Sequence, residues 1–170
     1  MLTVFAGLPG TGKTTLARLL ARRQRACFVR IDAIESGLVV AGLVADQASV
    51  GSAGYTVANR VAASSLRAGL DVVVDGVNPV EPARAAWRVL AADLGAALLF
   101  VEVVCSDQDQ HRRQVEEREA DLAGWVVPGW QAVLDREYEP WQGPRLVIDN
   151  VGDPEVSVDA IVSHASSRAG

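Results

Sequence analysis

The sequence contains little of what marks secreted, disulfide-bonded or membrane-spanning proteins. Only two of its 170 residues are cysteines, Cys27 and Cys105, and both lie in or beside apolar runs, where a buried free thiol is more common than a disulfide. No apolar run reaches the roughly 18 uncharged residues that a transmembrane helix needs, and no basic segment precedes the first apolar residues. The sequence therefore predicts a soluble, cytoplasmic protein without membrane association.

Positive charge is also scarce. The chain has 16 lysines and arginines against 21 acidic residues, which gives a formal net charge of −5. Such a chain has no general attraction for phosphate backbones, so nucleic acid is an unlikely partner. Hydrophobic residues make up 49% of the sequence, which is ample for the core of one domain. We expect a single domain over residues 1–170.

Short apolar runs alternate along the chain with longer segments of helical period. The runs predict strands over residues 2–6, 26–31, 70–74, 97–104 and 145–148. The segments between and after them predict helices over 13–24, 33–44, 54–68, 81–94, 107–122, 128–138 and 154–167. Continuous apolar runs are typical of strands buried on both faces. The pattern predicts an α/β fold, a parallel sheet with helices on both sides.

A glycine-rich loop separates the first predicted strand from the first predicted helix. It reads GLPGTGKT and matches the pattern of a glycine, four residues, then Gly-Lys-Ser/Thr. Glycines let backbone N–H groups approach phosphate oxygens, and the helix N-terminus attracts their charge. Lys13 would reach the β and γ phosphates, Thr14 would bind Mg²⁺, and Thr15 would bond the α phosphate. The predicted nucleotide-binding residues here are Gly7, Leu8, Pro9, Gly10, Thr11, Gly12, Lys13, Thr14 and Thr15.

Two aspartates stand where apolar runs end, at the sheet edge where open α/β proteins bind ligands. Asp32, in RIDAIE, is the first candidate for a general base that accepts a proton from a substrate hydroxyl. Alternatively it caps the following helix, since Glu35 stands three residues later as in a capping box. Asp75, in VVVDG, is the candidate metal carboxylate, with a plain Asp-Gly turn as the alternative.

The charged segment around HRRQVEER follows the fourth predicted strand and supplies Arg112, Arg113 and Arg118. Transfer of a phosphoryl group spreads negative charge over oxygens that arginines stabilise, so residues 107–140 are predicted to form a lid. Arg118 is the preferred ligand of the transferred phosphate. Alternatively, the segment is a solvated helix with charges paired three or four residues apart. His111 is expected to be an exposed residue of this helix.

The acceptor pocket is expected between Asp32 and Arg60. Arg60 is the only basic residue there, whereas a phosphorylated acceptor would need several cationic partners. A neutral or cationic hydroxyl compound, such as a metabolite, sugar or antibiotic-like molecule, fits better. Asn78 either contacts the acceptor or stabilises the turn before Pro79. The candidate contacts are Asp32, Glu35, Tyr55, Asn59 and Asn78.

Together, the segments GLPGTGKTT, RID, VVVDGVN, HRRQVEER and WQAVLDREYEPW…LVIDN resemble the small bacterial P-loop kinases of the AAA_33 type. Gluconate kinase, zeta-toxin kinases, chloramphenicol phosphotransferase and polynucleotide 5′-hydroxyl kinases are related to this group. The resemblance implies a P-loop fold with strand order 2-3-1-4-5, ATP with Mg²⁺ as cofactors, and a base at Asp32. Lids of this kind are expected to carry arginines about four apart, but Gln114 stands four before Arg118. The second lid arginine is therefore left open between Arg112 and Arg113.

The expected function is transfer of the γ-phosphate of ATP to a hydroxyl group of a small molecule. A polynucleotide 5′-hydroxyl kinase and a nucleotide-gated switch without an acceptor are the alternatives. Guanine-nucleotide switches usually carry Asn-Lys-x-Asp after a strand, and the nearest segment here, NVGD at residues 150–153, lacks the lysine. A GTP switch is therefore disfavoured.

Overall fold

Five apolar segments form one parallel sheet in the computed structural model, which describes residues 1–169. The strand order β2-β3-β1-β4-β5 confirms the α/β fold class and the order implied by the resemblance. All four strand pairings are parallel. The strands are β1 (Leu2–Ala6), β2 (Cys27–Arg30), β3 (Val72–Asp75), β4 (Leu98–Val104) and β5 (Leu146–Asp149).

Helices cover both faces of the sheet, as the continuous apolar runs predict. They are α1 (Lys13–Gln24), α2 (Ile31–Val40), α3 (Ala53–Arg67), α4 (Glu81–Asp93), α5 (Gln108–Glu116), α6 (Trp130–Leu134) and α7 (Pro154–Ala169), with a short 3₁₀ turn at Ala48–Val50. Residues of α3 and α4 pack with Val72 and Val74 on one face. Residues of α1 and α7 pack with Val73 on the other, so successive side chains of β3 point into opposite cores. No helix within residues 1–169 has the length and apolar character needed to cross a membrane.

Helix α5 is shorter than the helix predicted over residues 107–122. It ends at Glu116, and the irregular segment 117–129 follows. This segment is tied to α2 and its surroundings, because Asp121 pairs with Arg30 and the Ala123 carbonyl accepts a hydrogen bond from Ser36 Oγ. These contacts come from residues far away in the sequence. They override a local composition that favours helix.

A buried arginine organises the turn after β3. Arg84 is fully buried, and its guanidinium donates hydrogen bonds to four backbone carbonyls, those of Asn78, Pro79, Glu139 and Pro140. It also lies 4.1 Å from the ring centroid of Trp141. This binding holds the chain beyond α6 in an extended path, which explains why α6 is shorter than the predicted helix over 128–138.

Candidate active site

The glycine-rich loop lies between β1 and α1, as predicted, and its shape depends on glycine. Gly10 and Gly12 both have φ of 85°, in the left-handed region. A Cβ atom on Gly12 would lie 2.1 Å from Asn150 Nδ2, and one on Gly10 would lie 2.3 Å from Val115 Cγ2. Close neighbours and backbone conformation therefore both exclude side chains at these positions.

Two side chains hold the loop from outside through its carbonyl groups. His111 Nε2 lies 2.8 Å from the Pro9 carbonyl oxygen, and Asn150 Nδ2 donates to the Thr11 carbonyl at 3.1 Å. The imidazole packs edge-on against Trp130, with ring centroids 5.1 Å apart. His111 is buried, so the expectation of an exposed histidine is wrong. The N-terminus of α1 has no side-chain cap, and the N–H group of Thr15 already donates to the Gly12 carbonyl at 3.0 Å, so the N–H groups of Lys13 and Thr14 are those available to an anion.

Lys13 is a buried ammonium group with little compensation from the protein. Its Nζ donates one long hydrogen bond, 3.5 Å to the Leu8 carbonyl. Burial lowers the pKa of Lys13, and the charges of Asp75 and Asp32 partly oppose this effect. Lys13, Thr14 and Thr15 line a cavity of about 460 Å³, called the P-loop cavity below. A buried cation, free N–H groups and glycines without side chains fit the phosphates of a nucleotide.

Asp75 ends β3 and is 2% exposed. Burial raises the pKa of Asp75, whereas the charge of Lys13 and the hydroxyl of Thr14 lower it. Its Oδ1 atom is buried without a hydrogen-bond partner. An unpartnered carboxylate oxygen near the Thr14 hydroxyl fits Mg²⁺, which takes few protein ligands besides phosphate and water. No cluster of three or more His, Cys, Asp or Glu side chains able to hold a metal occurs in the described part of the chain.

Asp32 lies beside this pair, because β2 and β3 are neighbours and α2 begins directly where β2 ends. Arg30 occupies the N-cap position of α2, and Asp32 lies inside the first turn. The capping-box interpretation of Asp32 is therefore wrong. Its Oδ2 atom lies 3.8 Å from Arg30 Nη2 and 4.0 Å from Arg118 Nη2, beyond ordinary hydrogen-bond length. The carboxylate is partly exposed and accepts no side-chain hydrogen bond within residues 1–169.

The arginines of the charged segment divide into two groups. Arg118 lines the P-loop cavity near Asp32, as its predicted role requires. Arg112 instead pairs with Glu116 at 2.8 Å on the exposed side of α5, and Arg113 is exposed and does not line the cavity. The pair with Glu116 agrees with the solvated-helix alternative for Arg112. A nucleotide-binding role in the lid for Arg112 or Arg113 stays a prediction.

Two further arginines at the site were not predicted from the sequence. Arg30 is buried at the end of β2, where its guanidinium binds both carboxylate oxygens of Asp121 at 2.5 and 2.9 Å. Its Nε atom lies 3.9 Å from Asp75 Oδ2 and has no hydrogen-bond partner. Arg136 follows α6, and its charge, like that of Arg118, contributes to lowering the pKa of Lys13. The only local signal for Arg30 was its position at the end of a predicted strand, in RID.

A second cavity of about 820 Å³, called the α2–α3 cavity below, opens on the other side of Asp32. Glu35, Tyr55 and Arg136 also line it, together with Trp125 from segment 117–129. Burial and the charge of Asp32 raise the pKa of Glu35 to about 7. Two of the predicted acceptor contacts, Glu35 and Tyr55, therefore lie in one cavity with the candidate base.

The two predicted asparagine contacts lie elsewhere. Asn78 is fully buried; its Nδ2 donates to the Phe5 carbonyl at 2.8 Å and its Oδ1 accepts from Trp87 Nε1 at 2.9 Å. Its φ of 47° places it in the left-handed region typical of turns. Asn59 lines a groove between α3 and α4 that shares Tyr55 with the α2–α3 cavity, and it donates to the Ala86 carbonyl at 3.3 Å. Full burial contradicts an acceptor contact for Asn78, whereas the contact of Asn59 stays a prediction.

Known proteins share this architecture. The APS kinase CysC of Mycobacterium tuberculosis, solved with AMPPNP and APS, is 22% identical over 95% of each chain, with a TM-score of 0.70. A gluconokinase from Sinorhizobium meliloti 1021 is 16% identical over 99% of this chain and 97% of its own, with a TM-score of 0.65. Kti12 of Chaetomium thermophilum, in complex with ADP-AlF3, is 18% identical over 96% of this chain and 98% of its own, with a TM-score of 0.61.

At these identities the solved structures are similar in fold, and no curated protein matches the sequence significantly. The family model AAA_33, described as an AAA domain, matches residues 2–128. That span holds the glycine-rich loop, both site aspartates and Arg118. The chain belongs to the AAA_33 family.

Proposed function

We propose that the protein is an ATP-dependent kinase that transfers the γ-phosphoryl group of ATP to a hydroxyl group of a small molecule. The observation that carries this proposal is the position of Asp32. It lines the α2–α3 cavity, and its carboxylate lies 4.0 Å from Arg118, which lines the P-loop cavity. Asp32 thus lies near both cavities, of which one is suited to phosphates and the other is able to hold an acceptor. Phosphoryl transfer would take place between them.

The P-loop cavity holds the nucleotide in this proposal. ATP supplies the phosphoryl group, and Mg²⁺ neutralises charge on its phosphates. The N–H groups at the start of α1 bind phosphate oxygens, and Lys13 binds the β and γ phosphates without first losing another strong partner. Thr14 and Asp75 hold the metal, directly or through water, with the unpartnered Oδ1 of Asp75 as the available oxygen.

Transfer then proceeds in line between the two cavities. Asp32 accepts the proton of the acceptor hydroxyl as its oxygen bonds to the γ phosphorus, and the bond to the β–γ bridging oxygen breaks to release ADP. Lys13, Arg118 and Arg136 stabilise the charge that develops. Residues 107–140 act as a lid that brings Arg118 and Arg136 to the site and excludes water.

Acceptor-dependent turnover tests the proposal. ADP formation is measured with ATP, Mg²⁺ and a panel of hydroxyl compounds that includes sugars, amino sugars and an oligonucleotide with a free 5′-hydroxyl. A small-molecule kinase consumes ATP faster with its acceptor, and mass spectrometry shows one added phosphoryl group on that compound. Stimulation by the oligonucleotide alone would identify a polynucleotide kinase. Slow hydrolysis that no hydroxyl compound accelerates would indicate a nucleotide-gated switch and contradict the proposal.

A further inference from the structure

The α2–α3 cavity carries more negative than positive charge. Asp32 and Glu35 contribute carboxyl groups from α2, Asp46 contributes one from the following loop, and Arg136 is the only basic residue that lines it. One oxygen of the Asp46 carboxylate is already used, because Oδ1 accepts hydrogen bonds from Ser49 N at 2.8 Å and Ser49 Oγ at 2.6 Å. Asp46 is exposed to solvent, so the partly buried carboxyl groups that line this cavity are those of Asp32 and Glu35.

Glu35 is held firmly in the wall of this cavity without a polar partner. A Cβ atom on Gly54 would lie 2.3 Å from Glu35 Cγ and 2.6 Å from its Oε1, so the side chain packs directly on the glycine of α3. None of the hydrogen bonds and ion pairs within residues 1–169 involves the Glu35 carboxyl group. The hydroxyl of its cavity neighbour Tyr55 is instead used by the N–H of Asn78. A half-buried carboxyl group without a partner lacks compensation that a ligand would supply.

An aromatic side chain completes the surroundings. Trp125 lines the same cavity, and two hydrogen bonds fix its segment, from Ser36 Oγ to the Ala123 carbonyl and from Val126 N to Gln47 Oε1. Apolar side chains such as Val39 and Val50 supply much of the remaining wall. A carboxylate binds an ammonium group by charge, and an indole in the same cavity would add attraction wherever the cation meets its ring face.

We propose that the acceptor is an amino-hydroxyl compound, whose protonated amine binds Glu35 beside Trp125 while its hydroxyl faces Asp32. This inference rests on the proposed kinase function. Asp32 and Glu35 are three residues apart on one helix, which separates their Cβ atoms by about 5 to 6 Å. Amino sugars and aminocyclitols carry amine and hydroxyl groups at comparable separations. The identity of residue 35 is then a determinant of specificity, distinct from the base.

The burial of Glu35 also disfavours the charge of its carboxyl group. Burial and the nearby charge of Asp32 raise the pKa of Glu35 to about 7, and the charge of Arg136 acts in the opposite direction. Two neighbouring carboxyl groups repel each other when both are ionised. A bound ammonium group would relieve this repulsion and favour the ionised form of Glu35.

Matched pairs of compounds test the inference. Each pair consists of a free amine and its N-acetylated form, for example glucosamine with N-acetylglucosamine and 2-deoxystreptamine with its diacetyl derivative. Calorimetry with a non-hydrolysable ATP analogue and Mg²⁺ measures binding, and ADP formation measures transfer. For the best pair, the free amine should bind at least about tenfold more tightly, the scale of one charge-assisted hydrogen bond.

Two variants assign the effect to Glu35. Glu35→Gln keeps the shape of the side chain and should abolish the preference for free amines, through KM rather than kcat. Asp46→Asn removes one charge from the same cavity, but from a carboxylate that is exposed to solvent and whose Oδ1 atom already binds Ser49, so most of the preference should remain. If Glu35→Gln instead lowers kcat equally for free and acetylated acceptors, Glu35 acts in catalysis and the inference is wrong.

The outcomes for this inference and for the kinase proposal are separate. Phosphorylation of acetylated or neutral acceptors as efficiently as free amines would overturn the inference and leave the kinase function standing. Preferential binding of free amines, lost in Glu35→Gln but without transfer to any compound, would support the cation site and contradict the kinase. If no free amine in the panel binds better than its acetylated partner, the inference fails whether or not transfer occurs.

Discussion

Replacing Asp32 with asparagine separates a proton-accepting role from a structural one. Asparagine keeps the size of the side chain but does not take up the proton of the acceptor, so kcat should fall by about 10² to 10⁴. The structural cost should be small. The ion-pair distances from Asp32 to Arg30 and Arg118 are 3.8 and 4.0 Å, and the residue does not cap α2. The pair with Arg118, in which both side chains are partly exposed, contributes about 0 to 1 kcal/mol to stability, and the buried Arg30 keeps its close pair with Asp121.

The matched variant is Asp75→Asn, the same change at the neighbouring strand end. Burial raises the pKa of Asp75, which means that its ionised form destabilises the fold. Asp75→Asn should therefore keep or raise the melting temperature while it weakens nucleotide binding that depends on Mg²⁺. Part of its lost rate should return at high metal concentration.

Three measurements on both variants distinguish the two roles: acceptor-dependent kcat, calorimetric titration of ATP with and without Mg²⁺, and thermal unfolding. Asp32→Asn should lose turnover and keep metal-dependent binding of ATP, and Asp75→Asn should show a large loss of that binding. Normal transfer by Asp32→Asn would refute the assignment of the base. Equal loss of metal-dependent binding in both variants would show that the two acids act on the metal together.

Four further predictions follow from the same contacts. Lys13→Ala should fold and lose about 10² to 10³ in kcat, because it removes a preorganised charge; near-normal turnover with the best acceptor would contradict the phosphate role of Lys13. Arg118→Gln should lower kcat by a similar factor, whereas its control Arg112→Gln should change it less than about twofold, since the Arg112 pair is exposed; equal losses in steady-state kinetics would argue against the proposed lid. Arg84→Met should lower the free energy of unfolding by about 3 to 5 kcal/mol in urea titrations, because it leaves buried carbonyls without donors; a loss below about 1 kcal/mol would show that water replaces the guanidinium. The raised pKa of Glu35 means that the contribution of this group to stability decreases as pH rises from 4.5 to about 7, and Glu35→Gln should lose this part of the pH dependence in melting curves; an unchanged difference between the two profiles would contradict the burial of that charge.

The parts of the site that the sequence predicts are those whose residues are neighbours in the chain. The P-loop is one continuous segment whose glycine spacing, lysine and flanking strand and helix all have local causes. Asp32 and Asp75 were also placed at the correct edge, since parallel strands of this fold class end on the same side. The apolar runs predicted the five strands to within one or two residues at each end.

The missed features depend on contacts between distant segments. His111 looked like an exposed residue of a charged helix, yet α5 packs its ring under Pro9, 102 positions away. Asn78 looked like a turn residue or a ligand, and three of its polar groups are used by Phe5, Tyr55 and Trp87. Helical period alone does not specify which face of a polar helix meets the P-loop. Local pattern therefore predicted the positions of Asp32 and Asp75 better than the contacts of the groups around the P-loop.

Arg30 shows why the course of segment 117–129 was not predicted from the sequence. Its guanidinium is buried among three carboxyl groups, those of Asp32, Asp75 and Asp121, and only Asp121 forms close hydrogen bonds with it. A buried guanidinium needs such a partner, so the charge at the end of β2 favours the position of segment 117–129 observed here. That requirement ends α5 early and places Arg118 beside Asp32. Arg30 thus lies close to both site aspartates and also binds the proposed lid, through its pair with Asp121, 91 positions away in the chain.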